Sequence, residues 1–341
     1  MSASAAQPPT IVRPRRESIS SWPLADRLAY GLCWAVGIGL CVVALGIVAF
    51  MFVKGISALR PSLFVESPAA GVLQEKHSGG FKDPLIGTFI ITAVGIAIAT
   101  PLGVGIATWL VEYARPRWLA RTVESAIETI AGIPSIVLAL FGLYLFARPM
   151  FSFLSASASD GTVTGLSFIN AGIIMAVLAL PLVVGTTREA LLQLPARMRE
   201  ASFALGKTRA TTIRRVLLPS SRTGIASGAV LGMGRIVGDT AIIVFMLGIG
   251  SSKIEGLGGT PVLGTLRGTG TTLSAYIYYY APTGDGNSPN KAYAAGFVLL
   301  MIVLALNALV TRLTLRSEGE RAAVRGIGRR MWAWERWPWS R

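Results

Sequence analysis

An arginine and an aspartate four residues apart, Arg235 and Asp239, stand inside a stretch that is otherwise apolar from about residue 224 to 247. An ionised side chain near the middle of a bilayer costs at least roughly 2.5 to 3.5 kcal/mol, so Arg235 is expected to face a charged partner or a watery path. On a continuous helix, positions i and i+4 share a face, and the two charges can pair. Two readings follow: a salt bridge that only joins helices, or a guanidinium that meets an anion in transit beside a carboxylate. In the second reading the carboxylate accepts a hydrogen bond from a protonated oxyanion and repels a fully ionised one.

A second candidate for a polar path is Gly132-Ile133-Pro134-Ser135, inside another apolar run. Proline removes a backbone donor and loosens the helix before it, so Ser135 and the freed backbone groups can line a cavity; a kink used only for packing is the plainer alternative. Metal chemistry and nucleophilic catalysis are poorly supplied. The chain has one histidine, His77, and two cysteines, Cys33 and Cys41. These cysteines lie eight positions apart in one apolar run, about 12 Å along a helix axis, too far for a disulfide or a shared metal. No cofactor is expected.

The stretch 189–219 has a different character. Arg188, Arg197, Arg199, Lys207, Arg209, Arg214, Arg215 and Arg222 crowd it and its edges against Glu189 and Glu200, between two apolar spans, which assigns it to the cytoplasmic side. Met198, Ala201 and Leu205 recur at helical spacing, and Gly206 can take the left-handed conformation that ends a helix. Ile213, Val216 and Leu217 begin the apolar face of a second helix, which Pro219 stops. Residues 201–208, ASFALGKT, also satisfy a loose phosphate-binding P-loop pattern. That mechanism needs a glycine-rich turn leaving a strand and opening a helix, whereas charged residues precede this segment and it reads as helix up to Gly206. Nucleotide binding by this chain is therefore not expected.

The elements that position these residues follow from composition. A chain of 341 residues with 52% hydrophobic and only 14% charged residues is too apolar for a soluble protein. Its mean hydropathy is +0.58. Apolar runs at about 28–53, 85–111, 126–146, 168–184, 224–247 and 293–313 predict an all-α membrane protein with six transmembrane helices. The first run is too long for a signal-peptide core and reads as an uncleaved helix after a polar tail, 1–27. The net charge of +15 gathers in both tails and in the second and fourth loops, so both termini are expected in the cytoplasm. Topology accounts for this charge without nucleic acid. The basic tail 316–341 carries Trp332, Trp334, Trp337 and Trp339, suited to the lipid headgroup layer.

The 189–219 loop resembles the EAA loop of type I ABC-importer permeases: Glu-Ala-Ala, three residues, Gly, nine residues, Ile-x-Leu-Pro. Glu200-Ala201-Ser202, Gly206 and Val216-Leu217-Leu218-Pro219 fall at those spacings, with Ser for the second Ala and Val for Ile. Over roughly 85–315 the chain is similar to the PstA permease family of phosphate-specific ABC importers. The similarity lies in its second span, in GIPSIVLALFGLYLF, and in Arg235-Ile236-Val237-Gly238-Asp239-Thr240-Ala241, where Asp replaces the family Glu. Where the family shows Arg-Thr-Thr-Glu-Glu this chain has Gly185-Thr186-Thr187-Arg188-Glu189; Arg188, three residues on, can serve the same helix face.

The resemblance implies a multi-pass permease subunit of the bacterial inner membrane that performs no covalent chemistry. Its partners would be a second, PstC-like permease, a dimeric PstB-like ATPase and an extracytoplasmic PstS-like phosphate-binding protein. Glu200, Ala201, Gly206, Leu218 and Pro219 would couple to the ATPase, while Arg235, Asp239, Ser135 and Arg188 would line the substrate path. Sulfate and molybdate permeases share the loop pattern and stand as the alternative. A secondary anion transporter, using Arg235 and Asp239 with a coupling ion, is a more remote one.

Overall fold

A computed structural model describes residues 23–67, 79–155, 164–248, 262–284, 286–308 and 312. Expectations for the tail before residue 23, for His77 and for the Trp-rich tail 316–341 fall outside the described residues. Every secondary element within them is helical. The chain divides into two compact units, one ending at Val53 and one beginning at Lys54.

The first unit holds most of α1, Leu24–Ala58, a 35-residue helix with a mean hydropathy of 2.8 over its most apolar window. At 1.5 Å per residue such a helix exceeds the roughly 30 Å of hydrocarbon it must cross. The predicted run 28–53 lies wholly inside it.

In the second unit three helices form the centre: α3 (Lys82–Thr108), α6 (Phe168–Leu192) and α10 (Arg222–Gly238). Lipid gives two helices no hydrophobic reason to associate, so close packing of small residues has to do it. A Cβ on Gly103 would lie 2.6 Å from Val183 Cγ1, and one on Gly95 would lie 2.8 Å from Ile236 Cδ1. Small residues therefore set how near α6 and α10 approach α3. Ile91, Met175 and Ile236 fill the space between them and are fully buried.

Four helices are long and apolar enough to cross a membrane: α1, α3 with its extension to Tyr113, α6, and the last described helix, Pro289–Ala308. Two further helix pairs are bent at short breaks, in the manner of a broken span or a re-entrant loop, and the count rises to six when each pair is taken as one span. The predicted 126–146 span is one of these. It comprises α4 (Arg117–Gly132) and α5 (Ser135–Phe146), bent by 105°. Pro134 bars the α region to the residue before it, and Ile133 is extended at φ −73°, ψ 129°. α4 begins nine residues before the predicted run, and its Arg117, Arg121, Glu124 and Glu128 lower its hydropathy below what an apolar window detects.

The predicted 224–247 span is the other, bent by 63° between α10 and α11 (Ala241–Leu247). The halves that follow the two breaks, α5 and α11, pack on each other and on α6 through Leu138, Ala139, Ile242, Ile243 and Met246.

Short helices complete the unit. α2 (Ser62–Val65), α12 (Val262–Arg267) and α13 (Leu273–Tyr280) belong to the end where α3 and α6 begin. There the Leu273 N–H donates to Thr88 Oγ1 at 2.9 Å, and Phe81, Leu273 and Tyr276 form a second buried cluster. At the opposite end lie α7 (Ala196–Ala204), α8 (Arg209–Thr212) and α9 (Leu218–Ser220), within the predicted 189–219 loop. The final helix, α14 (Pro289–Ala308), starts four residues before its predicted position.

Candidate functional site

The expected Arg235–Asp239 pair does not form. α10 ends at Gly238, and Asp239 is extended at φ −82°, ψ 127°, so the helical register that would put i and i+4 on one face is lost between them. Asp239 is buried, and its Oδ1 accepts the Ile242 N–H at 3.0 Å, satisfying an otherwise orphan donor in the first turn of α11. Its own carbonyl accepts the Ser274 hydroxyl from α13 at 3.4 Å. Arg235 is exposed, one residue before Ile236, which packs on Gly95 near the middle of α3. The Arg235 side chain is thus exposed in this chain, three residues before α10 ends.

Ser135 is the first residue of α5, half-buried, immediately after the 105° break. The predicted loosening of the helix by Pro134 is a full change of direction. Arg188, on α6, is held from the neighbouring α4, where its Nη2 donates to Glu124 Oε1 at 2.6 Å. Both side chains are roughly two-fifths exposed, so solvent screens the pair and it adds little to stability. With Glu128, Ile127, Pro181 and Val184 they line a crevice of about 250 Å³. A larger crevice of about 490 Å³ involves Arg60, Glu66, Asn290 and Lys291 instead, and none of the anticipated residues borders it.

The 189–219 loop folds largely as its sequence indicates. α7 ends at Ala204 with Leu205 as its C-cap, and Gly206 takes φ +72°. The Gly206 N–H donates to the Phe203 carbonyl at 2.9 Å and the Lys207 N–H to Ser202 at 3.2 Å, the paired bonds of a Schellman ending. This order, helix first and glycine last, is the reverse of a phosphate-binding P-loop. Thr208 then caps α8 by accepting the Thr211 N–H. A π turn, Ile213–Leu217, leads directly into Leu218 and Pro219, where a missing N–H is harmless because the first turn of a helix leaves donors free. Pro219 therefore starts the next helical turn instead of ending one, and α10 follows at Arg222.

Its packing departs from the predicted apolar face. Ile213 and Leu217 are buried with Leu191, as expected, but Ala201 is exposed and Leu205 is 79% exposed. The residue that α7 buries is Ser202, whose hydroxyl lies 2.8 Å from that of Thr212. The serine that departs from the EAA pattern is thus the one matched by a partner on α8. Glu200, Ala201, Phe203 and Leu205 form an open surface, and Leu218 lies against the Leu191 cluster.

Sequence reading missed Glu112. It sits in a π turn, Trp109–Tyr113, at the end of α3, with only 9% of its side chain exposed. Its Oε1 accepts Arg199 Nε at 2.8 Å, and its carbonyl accepts Arg209 Nη1 at 2.8 Å. A lone acid in a run ending WLVEYARPR gave no periodic signal, though its two arginine partners were visible in the loop.

Apolar helices packed on small residues, two bent helix pairs and a short helical segment clamped at one end have the character of a multi-pass membrane subunit. Residues 99–318 match the family described as the binding-protein-dependent transport system inner membrane component, and the chain belongs to that family. Among its relatives is the phosphate transport system permease protein PstC of Xylella fastidiosa strain 9a5c, 30% identical over 255 residues, covering 70% of this chain and 74% of that protein. PstC of Mesorhizobium japonicum is 27% identical over 339 residues, covering 95% and 100%. The probable ABC transporter permease protein YqgI of Bacillus subtilis is 30% identical over 235 residues, covering 68% and 74%.

Solved structures agree in fold. An inward-facing MetNI methionine ABC transporter chain matches with a TM-score of 0.53 at 20% identity, over 68% of this chain and 94% of that one. A chain of a bacterial alginate ABC transporter, in complex with an alginate pentasaccharide-bound periplasmic protein, matches with a TM-score of 0.57 at 17% identity, over 85% and 96%. The architecture is that of a type I ABC-importer permease of the inner membrane.

Proposed function

We propose that this chain is a permease subunit of an ATP-driven importer of inorganic phosphate, forming half of the translocation path. Its similarity to phosphate-transport permeases over most of its length carries the reading. Arg235 supplies chemistry to match: a permanently charged fork, exposed beside the break of α10, suits a transient oxyanion. Asp239 is committed to the N-terminus of α11, so discrimination against sulfate passes from an Arg235–Asp239 pair to the surroundings of Arg235, with Ser135 and Arg188 as further path residues. The names of the relatives favour the PstC position over the PstA position that the sequence motifs resemble, and the second permease would then be PstA-like.

The exposed surface of Glu200, Ala201, Phe203 and Leu205 offers a dimeric ATPase a place to dock, with Gly206 setting its angle. ATP hydrolysis belongs to that partner, and an extracytoplasmic binding protein delivers the anion. Co-purification followed by mass spectrometry tests the assembly: an ATPase and a second permease should accompany this chain in stable ratio. Recovery without an ATPase would contradict it. Phosphate uptake that survives ATP depletion at a constant proton gradient would favour a secondary transporter instead.

A further inference from the structure

Glu112 joins three elements at one point. Arg199, from α7, reaches it through Nε, while the same guanidinium donates Nη2 to the Leu191 carbonyl at 3.1 Å and Nη1 to the Leu194 carbonyl at 3.3 Å. Those carbonyls belong to the last turn of α6 and its exit, where acceptors lack intrahelical donors. Arg209, from α8, takes the Glu112 carbonyl and lies over the Tyr113 ring, 5.6 Å from its centroid. Directly below, Val111 packs on Leu191, Ile213 and Leu217. The π turn of α3 and the π turn of the 189–219 loop therefore meet in one knot, polar on one side and apolar on the other. Single π turns interrupt the helical ladder and recur at functional sites. A planar guanidinium with five donors can hold a carboxylate and two carbonyls at once, which an ammonium cannot do in a fixed geometry.

We propose that Glu112 is the positioning residue through which movement of α7 and α8 is delivered to α3. The inference rests on the coupling role proposed above for the 189–219 loop. α3 is the helix on which both α6 and α10 pack, and Ile236, beside Arg235, contacts it at Gly95. A push on α7 that reaches Glu112 thus acts on the helix against which α10, the carrier of Arg235, packs. If the knot were only a static brace, its loss would weaken the loop without changing what α3 senses.

The assembled complex provides the test, in a background where Cys33 and Cys41 are replaced by Ala. One environment-sensitive probe is placed at Arg197→Cys on α7 and, in a separate preparation, one at Phe89→Cys on α3; both positions are exposed. Phe89 lies about 34 Å along the helix from Glu112. ATP with vanadate should shift both probes in the parent complex. With Glu112→Gln the α7 probe should still respond, whereas the α3 response should fall about tenfold, the scale of one lost charge-assisted hydrogen bond. Arg199→Lys should do the same. An α3 response equal to the parent's in either variant overturns the proposal. So does loss of the complex in both variants, which would assign the knot to folding. If neither probe responds in the parent complex, the coupling reading fails and this inference fails with it.

Discussion

Asp239 illustrates how a single residue changes role once the backbone is known. As the acceptor of the Ile242 N–H it needs an oxygen, not a charge, so Asp239→Asn should leave thermal stability of the purified complex nearly unchanged, while Asp239→Ala should cost about 1 kcal/mol. Equal melting of the two variants would contradict the cap. Arg235 has no such structural employment: Arg235→Gln is expected to abolish uptake while the complex still assembles. At Ser202 and Thr212 the direction of donation matters. The Thr212 hydroxyl donates to the Thr208 carbonyl at 3.0 Å, so the Ser202 hydroxyl must donate to Thr212.

Thr212→Val therefore strands a buried donor, whereas Ser202→Ala strands none. Denaturation of the purified complex should find the first variant less stable than the second by about 1 kcal/mol.

Elements differ in how much of them the sequence disclosed. Gly206 was legible because a left-handed helix ending demands glycine, and Ile213 and Leu217 were legible because their spacing matches a buried face. The break at Gly238 was not, since Arg235 and Asp239 at i and i+4 look like a pair on any helix drawn through them. Glu112 was hidden for a related reason: its partners are 87 and 97 positions away, beyond any local period. Two element-scale outcomes are testable. Nothing lies within 4 Å of a Cβ on Gly206, so Gly206→Val meets no clash and acts through backbone strain alone, roughly 1 to 2 kcal/mol.

Uptake and substrate-stimulated ATP hydrolysis should fall together in that variant, and Gly206→Asn should retain more of both. On α3, a Cβ at Gly103 would meet Val183 at 2.6 Å, whereas one at Gly105 would meet nothing within 4 Å. Gly103→Leu should consequently reduce the folded, membrane-inserted yield by overpacking the α3–α6 contact, and Gly105→Leu should not. Detergent-resistant size-exclusion profiles of the two variants compare them directly.

At the scale of the whole molecule, the unit from Lys54 onward packs α3, α6 and α10 on small residues, leaves Arg235 exposed just before the break that follows α10, and clamps the 189–219 segment where α3 and α6 end. Apolar helices of membrane-spanning length were legible from hydropathy, because lipid imposes that feature on any helix that crosses it, whereas the family was legible from motif spacing, which lipid does not dictate. The bend between α4 and α5 was legible only as a loosening, since a proline fixes where a helix yields but not the angle at which the next begins. ATP-driven phosphate import is proposed to run through a path that contains Arg235. Its most direct measurement is uptake of labelled phosphate into proteoliposomes holding the full complex, with binding protein outside, ATP inside and an ionophore collapsing any proton gradient. The expected result is ATP-dependent accumulation that sulfate does not compete for and that disappears in the Arg235→Gln complex. Accumulation undiminished in that variant, or absent from the parent complex under the same conditions, would contradict it.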